Sequence, residues 1–433
     1  MDTTRVRKAI KVNAHEAVEV IQSSDRIIIP LGCGEPETIL EALVASKERL
    51  RNVEIVGGLM RNYKFLQPGM EESFHFRTWQ CTPAIAKLVG KTVHYMPIRQ
   101  GDVPYVFADT GPYPIDVAVI HVSPPDQHGF CSLGVSISHS FPTALTARTV
   151  IAEVNEQMPR VLGNCFLHTS QMDYLVESSR PPVEFPTGEE AGEVERAIAA
   201  HVVRLIPDGA TLQIGIGTIP TAIIDSISNS KKRNLRIFGM GVDSIVDLVE
   251  RQVINRHLGD SGLRPIVGGE FVGTKKLFDF IDNNPMVEGS PAMYCLNSPK
   301  IGTIKNFISI QSAIEIDLTG QVNVETVSGR PFSAIGGSHD FLQGAYQSDG
   351  GKSILALPST AANGKVSRIV GSFASGSAVA HPRHSIEYVV TEYGAAHLRG
   401  KSIDERAKEL ISVAHPTFRA ELREYSKRLL GML

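Results

Sequence analysis

An imidazole at position 339 follows two glycines closely, in Ala334-Ile335-Gly336-Gly337-Ser338-His339-Asp340-Phe341. Histidine titrates near neutral pH, so such a side chain can take a proton from water or from another attacking group. The plainer alternative is a loop histidine hydrogen-bonded to backbone. His381 and His384 flank Pro382 and Arg383, a composition that suits an ordinary surface loop. Cys33 lies inside Gly32-Cys33-Gly34, where a thiol is either a nucleophile or small filler.

The glycines themselves form a pattern that occurs twice. Ile27-Ile28-Ile29 runs into Gly32-Cys33-Gly34-Glu35-Pro36 and then Ile39-Leu40-Glu41-Ala42-Leu43. Leu212-Gln213-Ile214 runs into Gly215-Ile216-Gly217-Thr218-Ile219-Pro220 and then Ile223-Ile224-Asp225-Ser226-Ile227. Each copy reads as a buried strand, a glycine turn and a helix opened by proline. Apolar helical stretches, residues 17–21 and 198–205, precede them. Without a Cβ, backbone comes close to a ligand, and the N–H groups of a helix start favour an anion or a developing oxyanion. The alternative is that the glycines only let helix pack on strand. Neither copy is a dinucleotide fingerprint or a phosphate loop, because the third glycine and the Gly-Lys-Ser/Thr are missing. The chain therefore reads as two related α/β halves facing each other, with the site expected in the cleft between them.

At 433 residues the chain has room for two or three domains. Apolar residues make up 42% and charged residues 21%, as in an ordinary globular protein, and a net charge of −3 argues against nucleic acid or membrane partners. Five dispersed cysteines with no Cys-x-x-Cys argue for reduced thiols in the cytoplasm, and against a zinc site. The N-terminal residues 1–8 lead into no apolar signal region, and no apolar run reaches membrane-spanning length.

Two domains are expected, 1–180 and 193–433. The Pro- and Glu-rich residues 177–192, with Pro181-Pro182, Pro186 and Gly188, form the linker. Residues 116–120 and 149–154 read as strands, and 123–130 as a loop. The run from Ile314 to Val322 echoes the strand leading to Asp126 and Gly129. Residues 403–430 are charged and helical in pattern.

These residues resemble the acetyl-CoA hydrolase/transferase family, especially its 4-hydroxybutyrate CoA-transferases and butyryl-CoA:acetate CoA-transferases. The resemblance covers nearly the whole chain. It includes residues 123–130, 152–159 and 215–220, Asp282-Asn283-Asn284-Pro285, residues 316–322, Gly350-Gly351-Lys352-Ser353-Ile354 and Ser367-Arg368-Ile369-Val370. The most diagnostic run is Val390-Thr391-Glu392-Tyr393-Gly394, continuing to Leu398-Arg399-Gly400-Lys401. There Glu392 is read as part of a structural signature. The resemblance implies the class I CoA-transferase fold, two open α/β domains facing each other. It also implies CoA or an acyl-CoA as substrate, bound by Gly215, Gly217, Pro220, Gly336, Gly337 and Lys352. No metal is expected, and a homo-oligomer is. In the family's mechanism a glutamate attacks the thioester. A glutamyl-CoA thioester then forms and passes CoA to an acceptor carboxylate, with glycine turns supplying oxyanion donors.

The chain departs from the family at that chemistry. The corresponding segment, Arg236-Ile237-Phe238-Gly239-Met240-Gly241-Val242-Asp243, holds no glutamate, and Gly239 or Met240 takes the place. Asp243 is the nearest carboxylate, with a helix N-cap before residues 245–248 as its plain alternative. Ser338 replaces the family's glutamine, His339 takes a position usually apolar, and Val379-Ala380-His381-Pro382-Arg383 replaces Val-Thr-Thr-x-Arg. The expected catalytic residues are His339, Ser338 and Asp243. The leading expectation is an acyl-CoA enzyme with altered chemistry, hydrolysis or acyl transfer. The alternatives are CoA transfer through another carboxylate, a CoA-thioester decarboxylase or lyase, and a non-catalytic CoA-binding sensor or subunit. Retention of Gly215, Gly217, Gly336 and Gly337 favours an enzyme, because a protein that no longer binds thioester has no need of close backbone approach.

Overall fold

The computed structural model describes residues 6–187, 190–254 and 264–430. Residues 1–5 of the N-terminal segment, and Gly188 of the linker, lie outside them. Contacts divide the chain into two compact units that are not contiguous in sequence. The first is Met1–Pro186, Gly239–Asp243 and Leu258–Leu296; the second is Thr187–Phe238, Ser244–His257 and Asn297–Leu433.

In the first unit eight strands build one sheet: β1 (Ile10–Lys11), β2 (Arg26–Ile28), β3 (Val53–Gly57), β4 (Phe74–Thr78), β5 (Val93–Tyr95), β6 (Val117–Val122), β7 (Thr149–Asn155) and β8 (Tyr174–Ser178). Their order is β1-β8-β7-β6-β2-β3-β4-β5, and all seven pairings are parallel. β6 is buried at all six positions, apolar at all but His121, as in a strand covered on both faces. Helix α1 (Glu37–Ala45) follows Pro36 at its N-cap and buries Ile39, Leu40, Ala42 and Leu43. These side chains join Ile27, Ile55, Phe74 and Phe76 in the core. Strand β2 pairs β3 on one side and β6 on the other, so the chain reverses its direction of winding there. In open α/β sheets ligands collect at such a switch point, beyond the C-terminal ends of the strands.

The second unit repeats the device. Helix α2 (Glu193–Leu205) follows the expected linker, and β9 (Thr211–Ile214) leads through Gly215 and Gly217 into helix α3 (Thr218–Ser228). Strand β9 pairs in parallel with β10 (Arg236–Val242), through Thr211↔Arg236 and Leu212↔Ile237, and with β13 (Phe307–Gln311) on the other side. Strands β11 (Ile266–Val272) and β12 (Val287–Gly289), which pair in parallel with each other, belong to the first unit. Beyond β13 follow β14 (Lys352–Ala356) and β15 (Tyr388–Thr391), both parallel, and β16 (Gly394–His397), antiparallel. The two copies of the sequence pattern therefore both sit at a switch point.

The second sequence echo is a matched turn. Asp126 Oδ1 accepts the N–H groups of His128 and Phe130 at 2.9 and 3.0 Å, with Gly129 at φ +85°. Asp317 Oδ1 accepts those of Thr319 and Gln321 at 2.9 and 3.0 Å, with Gly320 at φ +98°. In both, an aspartate locks its own turn and a glycine supplies the left-handed residue. The expected helical end is Ile403–Val413 and Arg419–Leu430, separated by Pro416. Among the described residues no helix is long and apolar enough to cross a membrane.

Candidate functional site

Helix α4 (Lys275–Ile281) belongs to the first unit, and helix α5 (Ser338–Gln347) to the second. The start of α5 gathers four of the expected residues. Gly336 has φ +53° and Gly337 is the N-cap, so the chain turns into the helix within two residues, the geometry that excludes most side chains at 336. Ser338 and His339 then occupy the first turn, both half-buried, while Asp340 and Phe341 are buried and hold the helix down.

His381 joins them from another segment. Its backbone N–H donates to Val322 O at 3.1 Å and its carbonyl accepts from Val322 N at 3.0 Å, which fixes the ring. The His339 and His381 rings stack at 5.9 Å with 14° between their planes. Nε2 of His381 lies 3.1 Å from Ser338 Oγ, and the Ser338 hydroxyl is also in short contact with Ile335 O. Burial, with the His339 imidazole beside it, holds His381 down to about 3, so the ring is neutral at physiological pH. Sequence reading assigned His381 to a surface loop; it is fully buried. Its partner lies 43 positions away, beyond any local pattern.

The turn after β9 is open. An added Cβ at Gly215 meets nothing within 4 Å, and at Gly217 only Pro220 Cδ at 3.9 Å. Packing therefore does not require glycine there, although φ of +122° at Gly217 does. The first turn differs, since a Cβ at Gly34 would meet Ser136 Cβ at 2.5 Å. Pro220 is the third residue of α3, and Lys352 opens β14, half-buried.

Asp243 lies in the first unit. Its Oδ1 accepts from Thr274 N at 2.9 Å and Thr274 Oγ1 at 3.0 Å, just ahead of α4. Gly239 within β10 has φ +100°, and Met240 is half-buried. The carboxylate of Glu392 accepts the N–H of Ser359 at 2.9 Å.

Two buried carboxyls in the first unit carry no sequence signal beyond residue type. Burial pushes Glu35 up to about 7 against the N–H groups of Arg61 and Asn62, which donate to it. Burial also lifts Glu270, on β11, well above the usual carboxylate range; Ser136 is its hydrogen-bond partner, and Oε1 has none among the described residues. Burial pushes the Cys33 thiol up to about 12, so no thiolate forms there near neutral pH.

Comparison with known proteins agrees with this architecture. Residues 4–186 match the acetyl-CoA hydrolase/transferase N-terminal domain, and residues 273–426 the corresponding C-terminal domain. The chain is 41% identical to a 4-hydroxybutyrate coenzyme A transferase of Clostridium kluyveri, over 99% of this chain and 100% of the relative. RipA from Yersinia pestis superposes with a TM-score of 0.89 at 32% identity, covering 99% of this chain and 100% of that one. A 4-hydroxybutyrate CoA-transferase from Porphyromonas gingivalis does so at 0.79 and 33%, covering 96% and 97%. The fold is thus the class I CoA-transferase fold, in an enzyme of the acyl-CoA transferase and hydrolase group. The chain belongs to the acetyl-CoA hydrolase/transferase family.

Proposed function

We propose that the protein turns over an acyl-CoA thioester without a covalent intermediate on a glutamate of β10. CoA lies against the turns at 215–217 and 336–337, with Pro220 and Lys352 at their flanks. His339 acts as the base, and Ser338 orients the acceptor. The carbonyl carbon–sulfur bond breaks, a bond from the acceptor to that carbon forms, and the acceptor's proton passes through His339 to the CoA thiolate. With water as acceptor the reaction is hydrolysis. Asp243, whose Oδ1 is held by Thr274 within the first unit, is given no step in this scheme.

The observation that carries the reading is the turn at 336–337, which delivers a serine and a histidine to the start of α5. The experiment is to incubate the protein with a panel of acyl-CoAs, measure free CoA, and look for covalent adducts by mass spectrometry. Free CoA without a glutamyl-CoA adduct supports it. Failure of every acyl-CoA defeats it.

A second reading has one observation in its favour. Glu270 is a buried carboxyl with an oxygen that no described group engages, on β11 of the first unit. As a substitute nucleophile it would restore CoA transfer to a carboxylate. Borohydride reduces a glutamyl-CoA thioester and inactivates an enzyme trapped in that form. Loss of activity that requires acyl-CoA and maps to Glu270 would establish this reading; the leading one predicts no such loss.

A further inference from the structure

Ser338 makes two close contacts with its one hydroxyl. Oγ meets Ile335 O and, at 3.1 Å, His381 Nε2. Each contact needs a proton between its heavy atoms to be attractive. Ile335 O is a carbonyl and supplies none, so the Ser338 proton points to it. The proton in the second contact must then come from His381 Nε2. This agrees with the other ring nitrogen: Nδ1 is buried with no hydrogen-bond partner among the described residues, and a bare lone pair is tolerated there better than an orphaned N–H. Burial keeps the ring neutral, so one nitrogen only carries the proton.

From this chain, resting on the acyl-CoA reading above, we infer that His381 is a positioning residue that fixes Ser338 as a hydrogen-bond acceptor, and that the acyl acceptor is therefore a protic nucleophile: water, an alcohol or an amine. Ser338 keeps one lone pair uncommitted, and it is partly exposed. A group carrying its own O–H or N–H donates to that lone pair. A carboxylate has no such proton and meets lone pair with lone pair. The same geometry removes Ser338 from the role of nucleophile, because its proton faces a carbonyl that does not accept it as a base would. In the reaction the acceptor's O or N forms the new bond to the carbonyl carbon while the carbon–sulfur bond breaks. The acceptor's proton leaves through His339 to the departing thiolate.

The test measures free CoA released by the full-length protein from an acyl-CoA in buffer and with hydroxylamine, and acetyl-CoA formed with acetate, for wild type, Ser338→Ala, His381→Leu and His381→Gln. Hydroxylamine is expected to accelerate CoA release, and acetate is expected to yield no acetyl-CoA. One neutral hydrogen bond is worth about five- to tenfold, so KM for hydroxylamine should rise by about that factor in Ser338→Ala and His381→Leu, with kcat nearly unchanged. The amide of His381→Gln donates as Nε2–H does and should bring KM back to within about twofold. Transfer to acetate faster than to water and hydroxylamine overturns the inference. So does an unchanged KM in Ser338→Ala, a variant that removes only one oxygen and so tests the idea even if His381→Leu fails to fold. Release of CoA with neither signature sinks this inference and leaves the acyl-CoA reading standing. No consumption of acyl-CoA under any condition sinks both.

Discussion

The imidazole of His339 occupies the first turn of α5 with its ring laid against His381. Of the two rings it is the half-buried one, and His381 is committed to Ser338. A base placed within reach of an attacking group contributes roughly 100- to 10,000-fold to rate. His339→Ala should therefore lower turnover by that much and leave CoA affinity nearly unchanged, as read from steady-state CoA release beside a binding titration. A loss of only a few-fold would make His339 a loop residue whose value lies in its stacking. Single residues were the level at which sequence said least. Ser338 and His339 stood out by their place after two glycines. Nothing local pointed to the His381 contact, and the raised carboxyls Glu35 and Glu270 owe their state to burial, which no short pattern records.

The strand–turn–helix element was the most legible part of the chain, because its requirements are local: an apolar run, a glycine and a helix start. Both copies formed where the pattern placed them, and the matched aspartate turns at Asp126 and Asp317 formed likewise. What the pattern did not reveal is that the glycines of the two copies serve different ends. Gly34 is required by packing against Ser136, whereas Gly215 faces open space. This difference makes a clean experiment. Gly215→Ala should leave thermal unfolding unchanged, having no clash and no positive φ to violate, yet weaken CoA binding tenfold or more. Gly217→Val should lose both binding and stability, since φ of +122° strains any branched residue by roughly 1–3 kcal/mol. Equal CoA affinity in Gly215→Ala and wild type, measured by calorimetric titration, would detach this turn from the ligand.

Over the whole molecule, buried titratable groups set opposing pH slopes. The Glu35 carboxyl holds its proton up to about 7 in the folded protein, against an ordinary value of 4.5. Its contribution to stability is complete below pH 4.5 and is lost as pH rises to about 7. The gap is worth roughly 3 kcal/mol. His139 and His381 act in the other direction. Burial holds them down to about 4 and about 3, so they stay neutral in the fold while the unfolded chain takes up protons below 6.5. Stability is lost on that account as pH falls from 6.5. The two trends cross between pH 4.5 and 6.5. Glu35→Gln removes this carboxyl's share of the alkaline trend: Arg61 and Asn62 donate to different oxygens of Glu35, so the amide oxygen keeps one of the two bonds and the other is lost at every pH, with no charge to bury. Its melting temperature relative to wild type should be higher at pH 8 than at pH 3.5 by roughly 6–12 °C, as expected of a unit of this size. At pH 3.5 Glu35 is protonated in folded and unfolded chain alike, so the difference left there is only the cost of the one lost hydrogen bond. A difference that stays constant from pH 3.5 to 8 in scanning calorimetry would show that Glu35 does not titrate near neutrality.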